Sequence, residues 1–297
     1  MRVAYTLFVS LGVIWGTNFI LMKLAAGYIS PGQVVLLRVF AGFIPLLVYS
    51  LYKGTLKREH IGSTHHFVVM SFLATSIYFF GFVKGTELLY SGVAGAISGS
   101  IPLFSFFAAV VFLEEESFSK EKFLGCLVAL VGITLIAKPF SGTMDSELLL
   151  GISWMALGSL SLGLSFVYAK KYITPLNMEN SALVTYQLGI AAVFLLVVTD
   201  LEGVGKLSSS AFALTATVVG LGVIGTGVAY VIYYYLVDSL GAVKAASVTY
   251  LPPVVALVIA VLIVDEPLAV SDYAGAALIF SGVYVLNKYN KQKQSDA

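Results

Sequence analysis

Arg38 is the only arginine inside an apolar run of this 297-residue chain, in PGQVVLLRVF (31–40). In a membrane helix entered at residue 31 it lies about eight residues deep, roughly 12 Å at 1.5 Å per residue. A guanidinium at that depth costs at least about 2.5–3.5 kcal/mol unless it is paired or wetted. It therefore has one of two jobs: meeting a ligand, or holding backbone carbonyls between helices. Trp15 and Asn18 in GVIWGTNF are three residues apart and share a helix face. The Asn18 amide needs a partner on another helix or on a solute, and Gln187 in a later run raises the same question. Tyr78, Phe79 and Phe82, with Tyr230 and Tyr234 one turn apart, can line an aromatic cavity or simply pack. Ser98 beside Pro102, and Thr249 beside Pro252, place hydroxyls next to helix breaks at mid-span. These types suit non-covalent capture of a small molecule. They do not suit bond making.

Other polar residues invite plainer readings. Lys23 ends the first apolar run and can snorkel to the interface. His60, His65 and His66 in EHIGSTHH share one short polar loop, with no Cys or acidic cluster to complete a metal site. No metal or cofactor is expected. Neither is an ATP-binding loop present, so any driving force must be a gradient, and with no Asp or Glu deep in a run the expectation is uniport or exchange, or coupling through a peripheral carboxylate such as Glu87. An integral-membrane enzyme acting on lipids is the alternative, and it would need a Ser, His and Asp set that the sequence does not display.

The elements that must hold these residues are membrane helices. Hydrophobic residues make up 59% of the chain and charged residues 11%, with a mean hydropathy of +0.94. Soluble domains carry roughly a quarter charged residues. Ten runs approach the roughly 20 residues that cross a bilayer core: 5–25, 31–52, 67–87, 91–113, 121–138, 149–169, 180–199, 212–236, 242–264 and 271–288. The first reads as a retained helix and not a removable signal. A net charge of +1 gives no reason to expect a nucleic-acid partner. The expected partners are the lipid bilayer and a small-molecule substrate, in a monomer or homodimer.

Positive charge sets the orientation. With the N-terminus inside, the inner set is Arg2, Lys53, Lys57, Arg58, Lys120, Lys122, Lys170, Lys171, Lys244, Lys288, Lys291 and Lys293. The outer set is Lys84, Lys138 and Lys206. Both termini are therefore expected on the cytoplasmic side of the cell membrane.

The chain also repeats. At an offset of 150, Val93, Ala96, Pro102, Glu116, Gly125 and Gly132 match Val243, Ala246, Pro252, Glu266, Gly275 and Gly282. At 147, Gly16, Phe19 and Lys23 match Gly163, Phe166 and Lys170. Residues 1–140 and 148–290 are read as two five-span units. Because five is odd, the second unit enters the membrane inverted, a construction found in transporters. Pro102 and Pro252 then lie near the midplane as paired hinges. Each removes a backbone hydrogen bond, and Ser98, Ser100 or Thr249 can satisfy the carbonyl it frees. The acidic stops Glu114–Glu116 and Asp265–Glu266 are read as span boundaries.

GVIWGTNFILMK (12–23), PGQVVLLRVF (31–40), GCLVALVGITLIA (125–137) and GAALIFSGVYVLN (275–287) together resemble the EamA-type ten-span exporters of the drug/metabolite transporter superfamily. The resemblance covers essentially the whole chain. It implies a pseudosymmetric basket of ten helices around a central cavity lined by spans 1, 3, 4, 6, 8 and 9. It also implies export of amino acids, related metabolites or toxic organic compounds.

Overall fold

The computed structural model describes residues 2–114, 120–137, 146–240, 245 and 247–295. Glu115 and Glu116, the linker 138–145, and Val243, Lys244 and Ala246 lie outside the described residues, as does the side chain of Tyr234. Helices occupy all ten expected places and no strand occurs among the described residues. The first two are α1 (Arg2–Ala26) and α2 (Pro31–Lys53). Next come α3 (Thr64–Ser71, a wide turn at Phe72–Ser76, then Ile77–Leu88) and α4 (Ser91–Ser98 and Ile101–Phe112). They are followed by α5 (Lys120–Ala137), α6 (Ser146–Tyr168) and α7 (Asn180–Val198). The last three are α8 (Ala211–Thr215, a wide stretch at Ala216–Val228, then Ala229–Leu240), α9 (Ser247–Tyr250 and Leu251–Leu262) and α10 (Val270–Ser295).

Seven of these rods are long and apolar enough to cross a membrane, while the apolar parts of α5 and α9 are shorter. Large apolar side chains stand bare on the outside, among them Val197 at 80% and Leu262 at 77% exposure. Water would penalise such a surface and hydrocarbon does not, so the chain is an all-α integral membrane protein. Local chemistry sets the helix ends. Ser30 and Gln33 form a reciprocal capping box at the start of α2, and Gly54 (φ +64°) ends it in the left-handed conformation that glycine adopts without strain.

The packing is two-fold. Exchanging each helix with the one five places on maps the most extensive contacts onto one another: α1 lies on α9 as α6 lies on α4, α3 on α6 as α8 on α1, and α2 on α8 as α7 on α3. The pairs α2–α7, α4–α9 and α5–α10 join a helix to its own copy. The copies run antiparallel, as an inverted repeat requires: Gly132 abuts Gly275 and Gly125 abuts Gly282 on α5 and α10. A Cβ at Gly132 would sit 2.5 Å from the Gly275 carbonyl, so this contact is open only to glycine.

At both prolines the geometry differs in kind from a bent continuous rod. Pro102 and Pro252 each occupy the first turn of a new segment, after a turn at Gly99–Ser100 and a tight turn at Ser247–Tyr250. A missing N–H costs nothing at a helix start, so the chain stops and restarts. At Pro102 the hydroxyls expected to satisfy the freed carbonyl do not do so: Ser98 Oγ donates to Gly95 O at 2.6 Å, and Ser100 Oγ is buried without a hydrogen-bond partner.

Candidate functional site

Arg38 reaches the centre of the bundle because glycines let α8 press against α2. A Cβ at Gly222 would lie 2.5 Å from Ala41 Cβ, and one at Gly42 would lie 2.7 Å from Thr226 Cβ. With the backbones this close, the arginine is only 5% exposed and its head spans four helices. Its Nε donates to Thr226 Oγ1 on α8 at 3.0 Å, and Nη1 lies 3.5 Å from Met22 Sδ on α1. Its Cζ stands 3.9 Å above the ring of Phe79 on α3, a cation–π contact.

Asn18 completes the shell. With its oxygen turned to the guanidinium it accepts from Nη2 at 3.2 Å and donates to Ile14 O at 3.3 Å. The opposite amide orientation puts its nitrogen 3.4 Å from Gly225 O but sets donor against donor beside a buried cation. We take the first. Thr226 is positioned by the wide stretch of α8, where its hydroxyl donates to Leu221 O five residues back at 2.9 Å. Such wide turns recur at functional sites because they free backbone groups and re-aim side chains.

Aromatic rings surround this polar knot. Tyr78 and Tyr230 lie close enough to Arg38 to feel its charge. Trp15 meets Tyr230 edge-on at 6.5 Å and Tyr233 at 5.9 Å. Tyr78 packs on Phe82 at 4.6 Å, and Phe82 on Phe19 at 5.9 Å. Trp15, Tyr78 and Tyr230 are half-buried. The result is a cation in an aromatic, largely apolar setting. None of its hydrogen-bond partners is a carboxylate, and the ion pairs among the described residues are Lys57–Glu59 and Lys84–Glu87. Burying an unneutralised charge carries a penalty of several kcal/mol.

Five residues singled out from sequence thus converge: Trp15, Asn18, Arg38, Tyr78 and Tyr230. Others stand apart. Ser98 is buried against its own helix, and Thr249 is exposed on the tight turn that opens α9. Gln187 donates to Thr75 Oγ1 at 2.7 Å, tying α7 to α3. Met22, Phe19 and Thr226 are the site residues that sequence reasoning passed over, because nothing local to them signals a partner some 16 to 188 positions away.

Two further groups acquire partners. Glu266, read as a boundary, accepts from the Ser91 backbone N–H and hydroxyl at 2.9 Å each and from Gly92 N–H at 3.1 Å. From the α9–α10 connection it caps the start of α4, where anionic charge is favoured. Lys23 donates to Leu89 O beside it and lies 5.3 Å from the Tyr90 ring centre. His60 and His66, far from both, bond to Tyr186 at 3.3 Å and Tyr168 at 2.8 Å.

Known proteins resemble this chain over most of its length. An uncharacterized transporter of Bacillus subtilis, YvbV, is 28% identical over 292 residues, covering 96% of this chain and 92% of its own. A WAT1-related chloroplastic protein of Arabidopsis thaliana is 24% identical, covering 95% of this chain and 69% of its own. One solved crystal structure superposes with a TM-score of 0.61 over 98% of this chain and 99% of its own, at 18% identity, and so shares the fold. The EamA-like transporter family matches residues 2–138 and again 149–288. Two matches, one in each half of a two-fold bundle, place the chain in the EamA-like transporter family.

Proposed function

We propose that this membrane protein is a secondary transporter that moves a small amphipathic or aromatic metabolite past the Arg38 cluster by alternating access. The two units, residues 1–140 and 148–290, are its moving halves, set in the cell membrane with both termini cytoplasmic. Amino acids and related metabolites are the solute class that family membership suggests.

The observation that carries this reading is a one-sided seam between α4 and α9. Near Glu266 the two helices interlock: Gly95 abuts Ala256, and a Cβ on Gly92 would lie 2.7 Å from Ala260 Cβ. The repeat-related residues at the other end are Phe106 and Ala245. Phe106 packs with Leu103, Cys126 and Ala129, whereas Ala245 packs with Ala4, Leu11 and Leu236. Among the described residues the seam is shut at the Glu266 end and parted at the other. Reversing that asymmetry about the two-fold axis supplies the second state of a transport cycle. Gly99–Ser100 and Ser247–Tyr250 are the breaks about which α4 and α9 would swing.

In the proposed orientation this conformation is open inward, and the exposed Thr249 and Phe107 lie toward its cytoplasmic end. Glu87 is neutralised by Lys84 at 2.5 Å, which favours uniport or exchange over proton coupling. Single cysteines at Thr249 and Phe107, in a Cys126→Ala background, test the reading. A membrane-impermeant maleimide should label both from the cytoplasmic side of inverted vesicles and neither from outside. Labelling from outside alone contradicts the orientation, and labelling unaltered by any transported solute contradicts alternating access.

A further inference from the structure

The inverted repeat supplies its own control for Arg38. Exchanging the halves carries α2 onto α7 and α8 onto α3. The Arg38–Thr226 bond then falls on Gln187–Thr75, with Gln187 149 positions after Arg38 and Thr75 151 before Thr226. Both threonines sit in the wide turns of their helices. Both accept from a long side chain of the neighbouring helix, at 3.0 Å and 2.7 Å. Gln187 is 2% exposed and neutral, so joining these helices at this corner needs a donor and no charge. The positive charge of Arg38 exceeds what the scaffold requires.

Donor geometry says what the excess is for. A guanidinium has five N–H groups. Thr226, Met22 and Asn18 engage one each on Nε, Nη1 and Nη2, which leaves one N–H on each terminal nitrogen. One N–H from each terminal nitrogen can form the fork that matches the two oxygens of a carboxylate. Because Arg38 is the only cation in this cluster, one negative charge balances it and a second would stay uncompensated. Trp15, Tyr78 and Tyr230 offer ring surface to the rest of the molecule.

We propose that the site takes an aromatic monocarboxylate, its carboxylate held by the spare Nη1 and Nη2 hydrogens of Arg38 and its ring against Trp15, Tyr78 and Tyr230. This rests on the reading of the cluster as the solute site, and it is tested by binding, without transport. Trp15 and Trp154 are the two tryptophans of the chain. Trp154→Phe, at the Phe80 contact on the α3–α6 interface, leaves Trp15 as the sole tryptophan, read by excitation at the red edge where tyrosine does not absorb.

Three probes sharing a benzamide body are titrated into the full chain in nanodiscs: hippurate (anion), hippuramide (neutral) and N-(2-aminoethyl)benzamide (cation). Hippurate should quench Trp15 saturably with at least ~10-fold higher affinity than hippuramide, about 1.4 kcal/mol, and the cation should bind weakest. Arg38→Gln, which copies the residue at the related corner, should fold with an unlowered melting temperature and bind hippurate and hippuramide alike. Equal affinity for the two in the Trp154→Phe protein overturns the proposal, as does no saturable quench by hippurate or an undiminished preference in Arg38→Gln. A clear preference without measurable flux would leave this proposal standing and count against transport.

Discussion

Two corners of the bundle do the same mechanical job with different chemistry. At one, Gln187 on α7 donates to Thr75 on α3; at the other, Arg38 on α2 donates to Thr226 on α8. The first is a neutral bond between neutral groups. The second adds a charge, stacks it on Phe79 and crowds it with Asn18 and Met22. In the proposed reading, the difference between them separates solute binding from support.

Adding charge to the neutral corner should give the largest effect. Gln187→Arg places a guanidinium among partners selected for an amide, and an uncompensated buried charge costs about 3–5 kcal/mol. Denaturant titration in mixed micelles should show that loss, whereas Arg38→Gln should leave stability unchanged or raised. If Gln187→Arg were tolerated, the corners would be equivalent and the argument for Arg38 would weaken.

An intermediate effect is expected from Gly225→Ala. The added Cβ runs into the Asn18 side chain, so either Asn18 leaves the guanidinium or α1 shifts from α8. Overpacking of this kind costs about 1–3 kcal/mol. Hippurate affinity should fall with it. The smallest pair of changes sharpens the contrast: Asn18→Ala and Thr75→Val each remove one interhelical hydrogen bond, worth about 0.6–1.7 kcal/mol in membrane proteins. Only Asn18→Ala should alter hippurate binding, and both can be read in one titration series.

Much of the architecture is legible in the sequence because membranes impose length. A run of about 20 apolar residues has few alternatives to a spanning helix, and the doubled blocks from Pro102 to Gly132 and from Pro252 to Gly282 expose the repeat directly. Arg38 announces itself by cost. Its neighbours do not: Thr226 sits in a glycine-rich stretch with no mark of its partner, and the wide turns at Phe72–Ser76 and Ala216–Val228 have no sequence signature. Glu266 looks like a plain stop, since its role as a cap depends on a helix 175 residues earlier in the chain. The prolines signal a break correctly but not its form, because a proline can bend a helix or begin one.

In the proposed reading the charge of Arg38 serves the solute. Counterflow of labelled hippurate in proteoliposomes, comparing the natural chain with Arg38→Gln at equal reconstitution, tests it most directly. The natural chain should accumulate hippurate, and Arg38→Gln should fall to the level of protein-free liposomes while remaining folded. Equal accumulation by the two proteins would contradict it.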